Sequence, residues 1–336
     1  MPDQSINLDN EKSTDATESR LRNRDKTLIQ SAVLSETPSF PKSVLVEVAN
    51  ICNHACTFCP YPLTTRRGKL IDPEFLKRAL KEAYDLGARE AGLYGGAEPF
   101  TCKKLDLHVR NAKEVGYDYV YVSTNGSLPS KERLKTVIDA GVDSLKFSVN
   151  GGNRETYALV HGQDHFDKVV ENIEFVLEHR KTLDRKMFVY ISFVQVPKNA
   201  DSLPELIERF EGRIDEFYIN PAVNVSGQMP NLPLDENMPD TCVIPFNQLN
   251  ITAEGHLRVC CNDYQNSLAI EDLNKMSVGD AFYGDRFRDF RRRHMNDDLK
   301  GTLCHNCLKG CFEKVHPLNP ELGDWGPLNQ SKLRII

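Results

Sequence analysis

The sequence predicts an α/β protein: a partial barrel of the TIM type, followed by a small C-terminal domain made of a hairpin and a helix. Three observations carry this. Short apolar, β-prone runs alternate with segments of helical period six times between about residues 41 and 219, the pattern of a parallel sheet with right-handed crossovers. Polar or Gly-rich clusters follow successive strands, at the end where such barrels gather function. Beyond about residue 225 the alternation stops. An open doubly wound sheet is the alternative arrangement of the same units. Three parts follow: a polar leader (1–36), expected to be disordered or loosely docked from its Asp, Glu, Ser, Thr, Asn and Arg content, the barrel (37–225) and the C-terminal domain (226–336).

The first strand, 44–48, is the apolar run Val44-Leu45-Val46-Glu47-Val48, which has the look of a buried strand. Asp72 and Pro73 open a helix through about residue 86, Asp as N-cap and Pro at the first helical position, and Gly87 stops it. Strand 90–94 ends in Gly95-Gly96-Ala97-Glu98-Pro99. A helix near 103–115 leads to strand 119–123 and then to Thr124-Asn125-Gly126. Helix 131–140 and Gly141 precede strand 144–149, which ends in Asn150-Gly151-Gly152. Helix 165–180, strand 187–196, helix 203–210 and strand 216–219 complete the six units. Residues 226–240, rich in Pro, Asn and Asp, form a linker or a long active-site loop. Strands 248–253 and 256–260 flank a turn at Glu254-Gly255, and 280–294 is helical in pattern.

The 336 residues carry a formal net charge of -6, with 40% hydrophobic and 27% charged residues, a globular composition. There is no run of eighteen apolar residues and no signal peptide, so no membrane partner is expected. The acidic balance argues against a nucleic-acid partner, which would need a basic surface. Arg291-Arg292-Arg293 is the counter-example. Three adjacent residues of a helix point in different directions, so a solvated face is expected there. Ten cysteines without a secretion signal point to metal or redox use in a reducing compartment, the cytoplasm.

Directly after the first strand comes Cys52-Asn53-His54-Ala55-Cys56-Thr57-Phe58-Cys59, a C-x3-C-x2-C arrangement. A cubane [4Fe–4S] cluster normally takes four thiolates, one per iron. Three on one short loop leave one iron open. Buried structural cysteines, or part of a zinc site, are the rival readings. Zinc knuckles, however, favour C-x2-C pairs with a fourth ligand nearby, and the next cysteine here is Cys102.

With Phe58 in the aromatic position, this loop resembles the signature of the radical S-adenosylmethionine (SAM) enzymes. The resemblance runs from about Pro41 to Cys311. It implies a (β/α)6 core, and an open iron that chelates the amino and carboxylate groups of SAM. An electron from the cluster then cleaves the sulfonium to a 5′-deoxyadenosyl radical, which abstracts a hydrogen atom from substrate while the protein positions and shields it. A reductant such as flavodoxin or ferredoxin is implied as a partner. Gly95-Gly96-Ala97-Glu98-Pro99 resembles the family's GGEP motif with an Ala inserted, which makes Gly95, Gly96 and Glu98 candidates to hold the SAM amino group. Thr124, Asn125, Ser148 and Asn150 resemble the polar residues that meet its methionyl or ribose part. Taken singly, each is also ordinary turn chemistry.

Cys242-x12-Gly255-x4-Cys260 and the later pair Cys304 and Cys307 supply four more thiolates, for which zinc is an equal physical rival. The pattern resembles the auxiliary-cluster modules called SPASM and twitch. A full SPASM module holds two clusters on seven or more cysteines, and beyond the four only Cys261 and Cys311 remain. The resemblance therefore implies the shorter twitch form with one auxiliary [4Fe–4S] cluster. Fully ligated, that cluster would pass electrons instead of chelating substrate. Cys102, Cys261 and Cys311 are left over, most simply as small buried hydrophobes, alternatively as hydrogen-atom donors to a substrate radical. His161, Gln195 and Arg66 are expected to make surface or structural hydrogen bonds.

The layout resembles members of the family that dehydrogenate aminocyclitols or epimerise sugars, which implies a small-molecule substrate. Hydrogen abstraction at a carbinol carbon gives a ketone if an electron and the hydroxyl proton leave. It gives an epimer if a hydrogen atom returns from the opposite face. A peptide maturase is the alternative, although the polar leader is unlike a peptide-recognition domain. A non-enzymatic iron–sulfur scaffold would have little use for such strand ends.

Overall fold

The computed structural model describes residues 20–333 apart from 67, 235–238 and 324. Six strands pair in chain order, each parallel to the next: β1 (Ser43–Val46), β2 (Glu90–Gly92), β3 (Tyr119–Thr124), β4 (Ser144–Ser148), β5 (Phe188–Gln195) and β6 (Glu216–Pro221). A doubly wound sheet reverses its strand order at a switch point. The unbroken order here is that of a barrel instead. It does not close: β6 ends one edge of the sheet, while β1 takes β7 (Gln248–Ile251) as its other neighbour.

The helices begin with α1 (Arg20–Ser31), inside the leader expected to be disordered or loosely docked. Residues 1–19 of that leader lie outside the described residues, and α1 is docked through one side chain whose partners composition cannot reveal. Arg24 donates to Glu90 and to the Tyr121 hydroxyl, both at 2.7 Å, with its guanidinium 4.2 Å from the Tyr121 ring centre. Along the barrel follow α2 (Pro73–Leu86), α3 (Leu105–Val115), α4 (Lys131–Asp139), α5 (Arg154–His161), α6 (Phe166–His179) and α7 (Leu203–Phe210). Asp72 caps α2 by accepting the Phe75 N–H, and Gly87 ends it at φ 124°, a conformation that favours glycine. The extra helix α5 had a local signal, Asn153, which accepts the Thr156 N–H as N-cap.

After β6 the chain forms α8 (Ile244–Asn247), β7, β8 (His256–Arg258), β9 (Ala269–Asp272), α9 (Val278–Tyr283), α10 (Asp285–Met295) and α11 (Leu303–Lys309). The hairpin at Glu254-Gly255 forms as expected, antiparallel, with Gly255 at φ 88°. The helix expected over 280–294 is two helices, broken at Gly284, whose extended backbone ends α9 and starts α10. The arginine run is corrected as well. Arg291 is fully buried, its guanidinium 3.8 Å from the Phe287 ring centre and 4.1 Å from that of Phe282. It donates to the carbonyls of Pro245, Phe282 and Glu36. Only Arg292 and Arg293 face outward, where Arg292 pairs with Glu36.

A single apolar core runs from Leu80, Val122, Phe147 and Ile191 of the barrel to Leu257, Ile270 and Phe282 of the C-terminal region. Among the described residues no helix is long and apolar enough to cross a membrane.

Candidate functional site

The loop after β1 carries Cys52, Cys56 and Cys59, all half-buried and none in a disulfide. It is tied to the end of α5 by backbone bonds, Ala55 N–H to the His161 carbonyl (3.2 Å) and Thr57 N–H to that of Val160 (3.0 Å). The Tyr61 hydroxyl accepts the Cys52 N–H at 2.8 Å. Donors converge on the sulfurs. His54 N–H lies 3.5 Å from Cys52 Sγ, and Tyr61 N–H 3.5 Å from Cys59 Sγ. The Tyr264 hydroxyl is 3.6 Å from Cys59 Sγ, and His161 Nδ1 3.5 Å from Cys56 Sγ. Burial pushes the Cys52 thiol up to about 12 and that of Cys59 upward too, so thiolates here need a cation to hold them. Three thiols ringed by donors fit an iron–sulfur cluster, whose sulfurs take such hydrogen bonds.

A polar relay backs the loop. His54 Nδ1 is 3.2 Å from His161 Nδ1, and His54 Nε2 is 3.3 Å from His165 Nδ1 and 3.0 Å from Ser127 Oγ. Cys56 sits close enough to His54 and His161 that their three ligand atoms lie within 4.8 Å of one another. His161, expected to make structural bonds, also accepts the Asn150 N–H at 3.0 Å.

The strand-end candidates meet here with different functions. Gly95 and Gly96 permit close approach: an added Cβ would stand 2.8 Å from Glu47 Cβ at the first and 2.8 Å from the Tyr264 ring at the second. Glu98 is buried, and its carboxylate accepts from Thr124 Oγ1 and the Asn125 N–H at 2.7 Å and from the Phe100 N–H at 3.0 Å. Burial pushes that carboxyl up to about 7 against these donors. Both oxygens are thus engaged in joining the ends of β2 and β3. Thr124 is taken up in the same way. Asn125 reaches the cluster loop through Asn53 Oδ1 at 2.9 Å. Ser148 bonds Ser192 at 3.2 Å, and Asn150 Oδ1 accepts the Val194 N–H at 2.6 Å. Phe58 packs across the barrel mouth against Val160, Val196 and Ala222.

A second cysteine group lies in the C-terminal region. Cys242 precedes α8, Cys260 follows β8, and Cys304 and Cys307 sit one turn apart on α11. All four line one apolar pocket with Ile244, Val259, Leu268 and Leu303. Ser226 donates to Cys307 Sγ at 3.2 Å, and Asn262 N–H to Cys260 Sγ at 3.4 Å. Burial raises the thiols of Cys242 and Cys304. Four thiols on one apolar wall fit a metal cluster. Cys261 Sγ donates to Asn262 Oδ1 at 4.0 Å, and Cys311 donates to Asn306 Oδ1 at 3.3 Å. Cys102 lies in the hydrophobic core, 3% exposed. Gln195 is exposed at the end of β5.

Tyr264, His54, His165, Glu47 and Glu254 were not anticipated. Glu47 and Glu254 flank Arg66 in a buried cluster, with the Arg66 Nη2–Glu254 Oε2 distance 2.7 Å.

A partial parallel barrel with a three-thiol loop at its mouth and a four-thiol pocket beside it is the architecture of an iron–sulfur enzyme. Residues 46–210 match the radical SAM superfamily and residues 242–308 the SPASM iron–sulfur cluster-binding domain. The chain belongs to the radical SAM superfamily and carries a SPASM domain, with SAM, a SAM-binding [4Fe–4S] cluster and an auxiliary cluster as its cofactors. It is 22% identical over 269 residues to the S-adenosyl-L-methionine-dependent 2-deoxy-scyllo-inosamine dehydrogenase of Niallia circulans, covering 78% of this chain and 90% of that one. The crystal structure of BtrN in complex with AdoMet and 2-DOIA superposes with a TM-score of 0.56 at 19% identity, over 82% of this chain and 95% of that one. Streptococcus suis SuiB bound to precursor peptide SuiA superposes with a TM-score of 0.65 at 15% identity, over 99% and 84%. These two likenesses show the fold.

Proposed function

We propose that this radical SAM enzyme acts on a carbinol carbon of a carbohydrate or aminocyclitol, giving dehydrogenation or epimerisation. One observation carries the reading: four cysteines from three separate segments line a single cavity. A cluster bound by all four has no open iron for substrate and is suited to accept an electron. The dehydrogenase of Niallia circulans, matched over 90% of its length, names an aminocyclitol substrate.

In this reading Cys52, Cys56 and Cys59 hold the SAM-binding cluster, and Cys242, Cys260, Cys304 and Cys307 the auxiliary one. Bound SAM supplies the hydrogen-abstracting radical. Residues 37–225 position it, with the backbone of Gly95 and Gly96, Asn125 and Ser148 facing it and Phe58 closing the mouth, while residues 226–336 bear the auxiliary site. Glu98 and Asn150 hold strand ends in place. With Cys102 in the core, Cys261 and Cys311 remain as hydrogen-atom donors for an epimerase. Flavodoxin or ferredoxin would reduce the enzyme, and cysteines outside disulfides suit the cytoplasm.

The test is anaerobic turnover of 2-deoxy-scyllo-inosamine and a panel of sugars in deuterated water, read by mass spectrometry. Loss of two mass units means dehydrogenation, and one incorporated deuterium without that loss means epimerisation. A peptide substrate is the second reading, favoured by the likeness to a peptide-bound enzyme over 99% of this chain. Absence of 5′-deoxyadenosine with every small molecule, and its release with a peptide, would establish that reading in place of the first.

A further inference from the structure

The loop between β8 and β9 carries Cys260 and Cys261 and continues into Tyr264. That side chain leaves the C-terminal strands and crosses to the barrel. Its hydroxyl lies 3.6 Å from Cys59 Sγ, and its ring lies so close to Gly96 that an added Cβ there would stand 2.8 Å away. The flanking backbone is pinned on several sides. Thr64 Oγ1 donates to the Tyr264 carbonyl at 3.0 Å. Gln228 Oε1 accepts the Tyr264 N–H at 3.4 Å. Gln265, the next residue, accepts the Thr65 N–H at Oε1 (3.1 Å) and donates from Nε2 to Thr65 Oγ1 (2.9 Å). Such anchoring leaves the phenol little choice of direction. A ring alone would fill the space over Gly96, so the hydroxyl's position at a sulfur needs its own account.

We propose that Tyr264 is a positioning residue through which the C-terminal module sets the reduction potential of the SAM-binding cluster. A ligand thiolate has no S–H and can only accept, so with Cys59 bound to the cluster the Tyr264 O–H donates to its Sγ, as the Tyr61 N–H does at 3.5 Å. Hydrogen bonds to a ligand sulfur draw electron density from it and make the bound cluster easier to reduce. The barrel alone cannot supply this donor, because it comes from the auxiliary-cluster loop. The inference rests on the reading of Cys52, Cys56 and Cys59 as cluster ligands.

The experiment is a potentiometric titration of the full chain holding its clusters, followed by electron paramagnetic resonance, for wild type and Y264F. The phenylalanine keeps the ring over Gly96 and removes only the donor. The SAM cluster of Y264F should be about tenfold harder to reduce at a fixed potential, ~59 mV for a one-electron couple. Its iron content and the auxiliary midpoint should not change, and an exchangeable proton coupling at the SAM cluster should disappear. G96A, which pushes the ring aside, should shift the same midpoint in the same direction, and the double variant should shift no further than Y264F. An unchanged midpoint with the cluster in place overturns the function given to Tyr264 while leaving the ligand reading intact. So do an equal shift of both clusters and additive effects of the two substitutions. Iron content unaffected by removing Cys52, Cys56 and Cys59 overturns the ligand reading, and this inference with it.

Discussion

Arg66 and Glu254, 188 residues apart in the chain, face each other as a two-bonded pair, Nε to Oε1 at 2.9 Å and Nη2 to Oε2 at 2.7 Å. Arg66 also donates to Glu47 at the end of β1. Burial opposes ionisation of Glu254, but the Arg66 charge and its hydrogen bonds prevail and hold that carboxyl down to about 2. The pair thus joins the segment after the three-cysteine loop to the hairpin turn of the SPASM domain, out of water.

Removing one partner of such a buried group leaves charges uncompensated. Arg66→Met should therefore cost about 3–5 kcal/mol, read as a lower denaturant midpoint. A loss below about 1 kcal/mol would place the pair among weak surface bridges.

The cysteine assignment predicts iron. Reconstituted protein should hold about eight irons, two cubanes. Replacing Cys52, Cys56 and Cys59 by Ala should remove about half and end SAM cleavage. Replacing Cys242, Cys260, Cys304 and Cys307 should remove the other half. Zinc in place of iron at the second group, in anaerobically purified protein, would refute an auxiliary iron–sulfur cluster there.

Two buried histidines predict an acid limit to stability. His108 of α3 and His294 of α10 have no hydrogen-bond partner on either ring nitrogen among the described residues. Burial holds both down to about 4. Lys104 adds to this at His108 while Asp106 and Asp72 oppose it, and Asp297 opposes it at His294. An unfolded histidine titrates near 6.5, so between about pH 6.5 and 4 only the unfolded state gains protons. Stability should fall through that window by up to about 1.4 kcal/mol per pH unit for each histidine. His108→Leu should flatten the slope measured by denaturant midpoints at pH 7 and 5. Equal slopes in both proteins would show that His108 does not set it.

The spare thiols predict an asymmetry. Cys102→Ala should leave 5′-deoxyadenosine and product formation intact, because that thiol lies in the core. If the reaction is an epimerisation, Cys261→Ala or Cys311→Ala should abolish deuterium incorporation while radical formation persists. Loss of the epimer in the Cys102 variant would contradict the buried placement.

What was legible in the sequence was local. Asp72, Pro73 and Gly87 marked a helix because capping acts within a few residues, and Cys52, Cys56 and Cys59 stood out because they share one short loop. Six parallel strands followed from the alternation itself, but their unbroken order did not, since the same units also fit a doubly wound sheet. Hidden were the pairings of residues far apart: Tyr264 with Cys59, Arg66 with Glu47 and Glu254, Arg24 with Glu90. These leave no period and no motif. Arg291 misled differently: Phe287, four residues earlier on the same helix, was a local sign that went unread, while Phe282 and the carbonyls of Pro245 and Glu36 come from outside that helix. Glu98 was found by motif, but its engagement with Thr124 and Asn125 depends on where β3 ends beside β2.

Ser43 pairs with Glu90 on one side and with Gln248 on the other. At synthesis rates of about 5–20 residues per second, the second partner emerges roughly 10–40 s after the first strand has left the ribosome. Through that interval β1 keeps a bare apolar edge, the kind that recruits other chains. The N-terminal two thirds of the protein are then a nascent chain in need of shelter. Ribosome-bound chains ending before Gln248 should depend on chaperones, and full-length ones should be released from them.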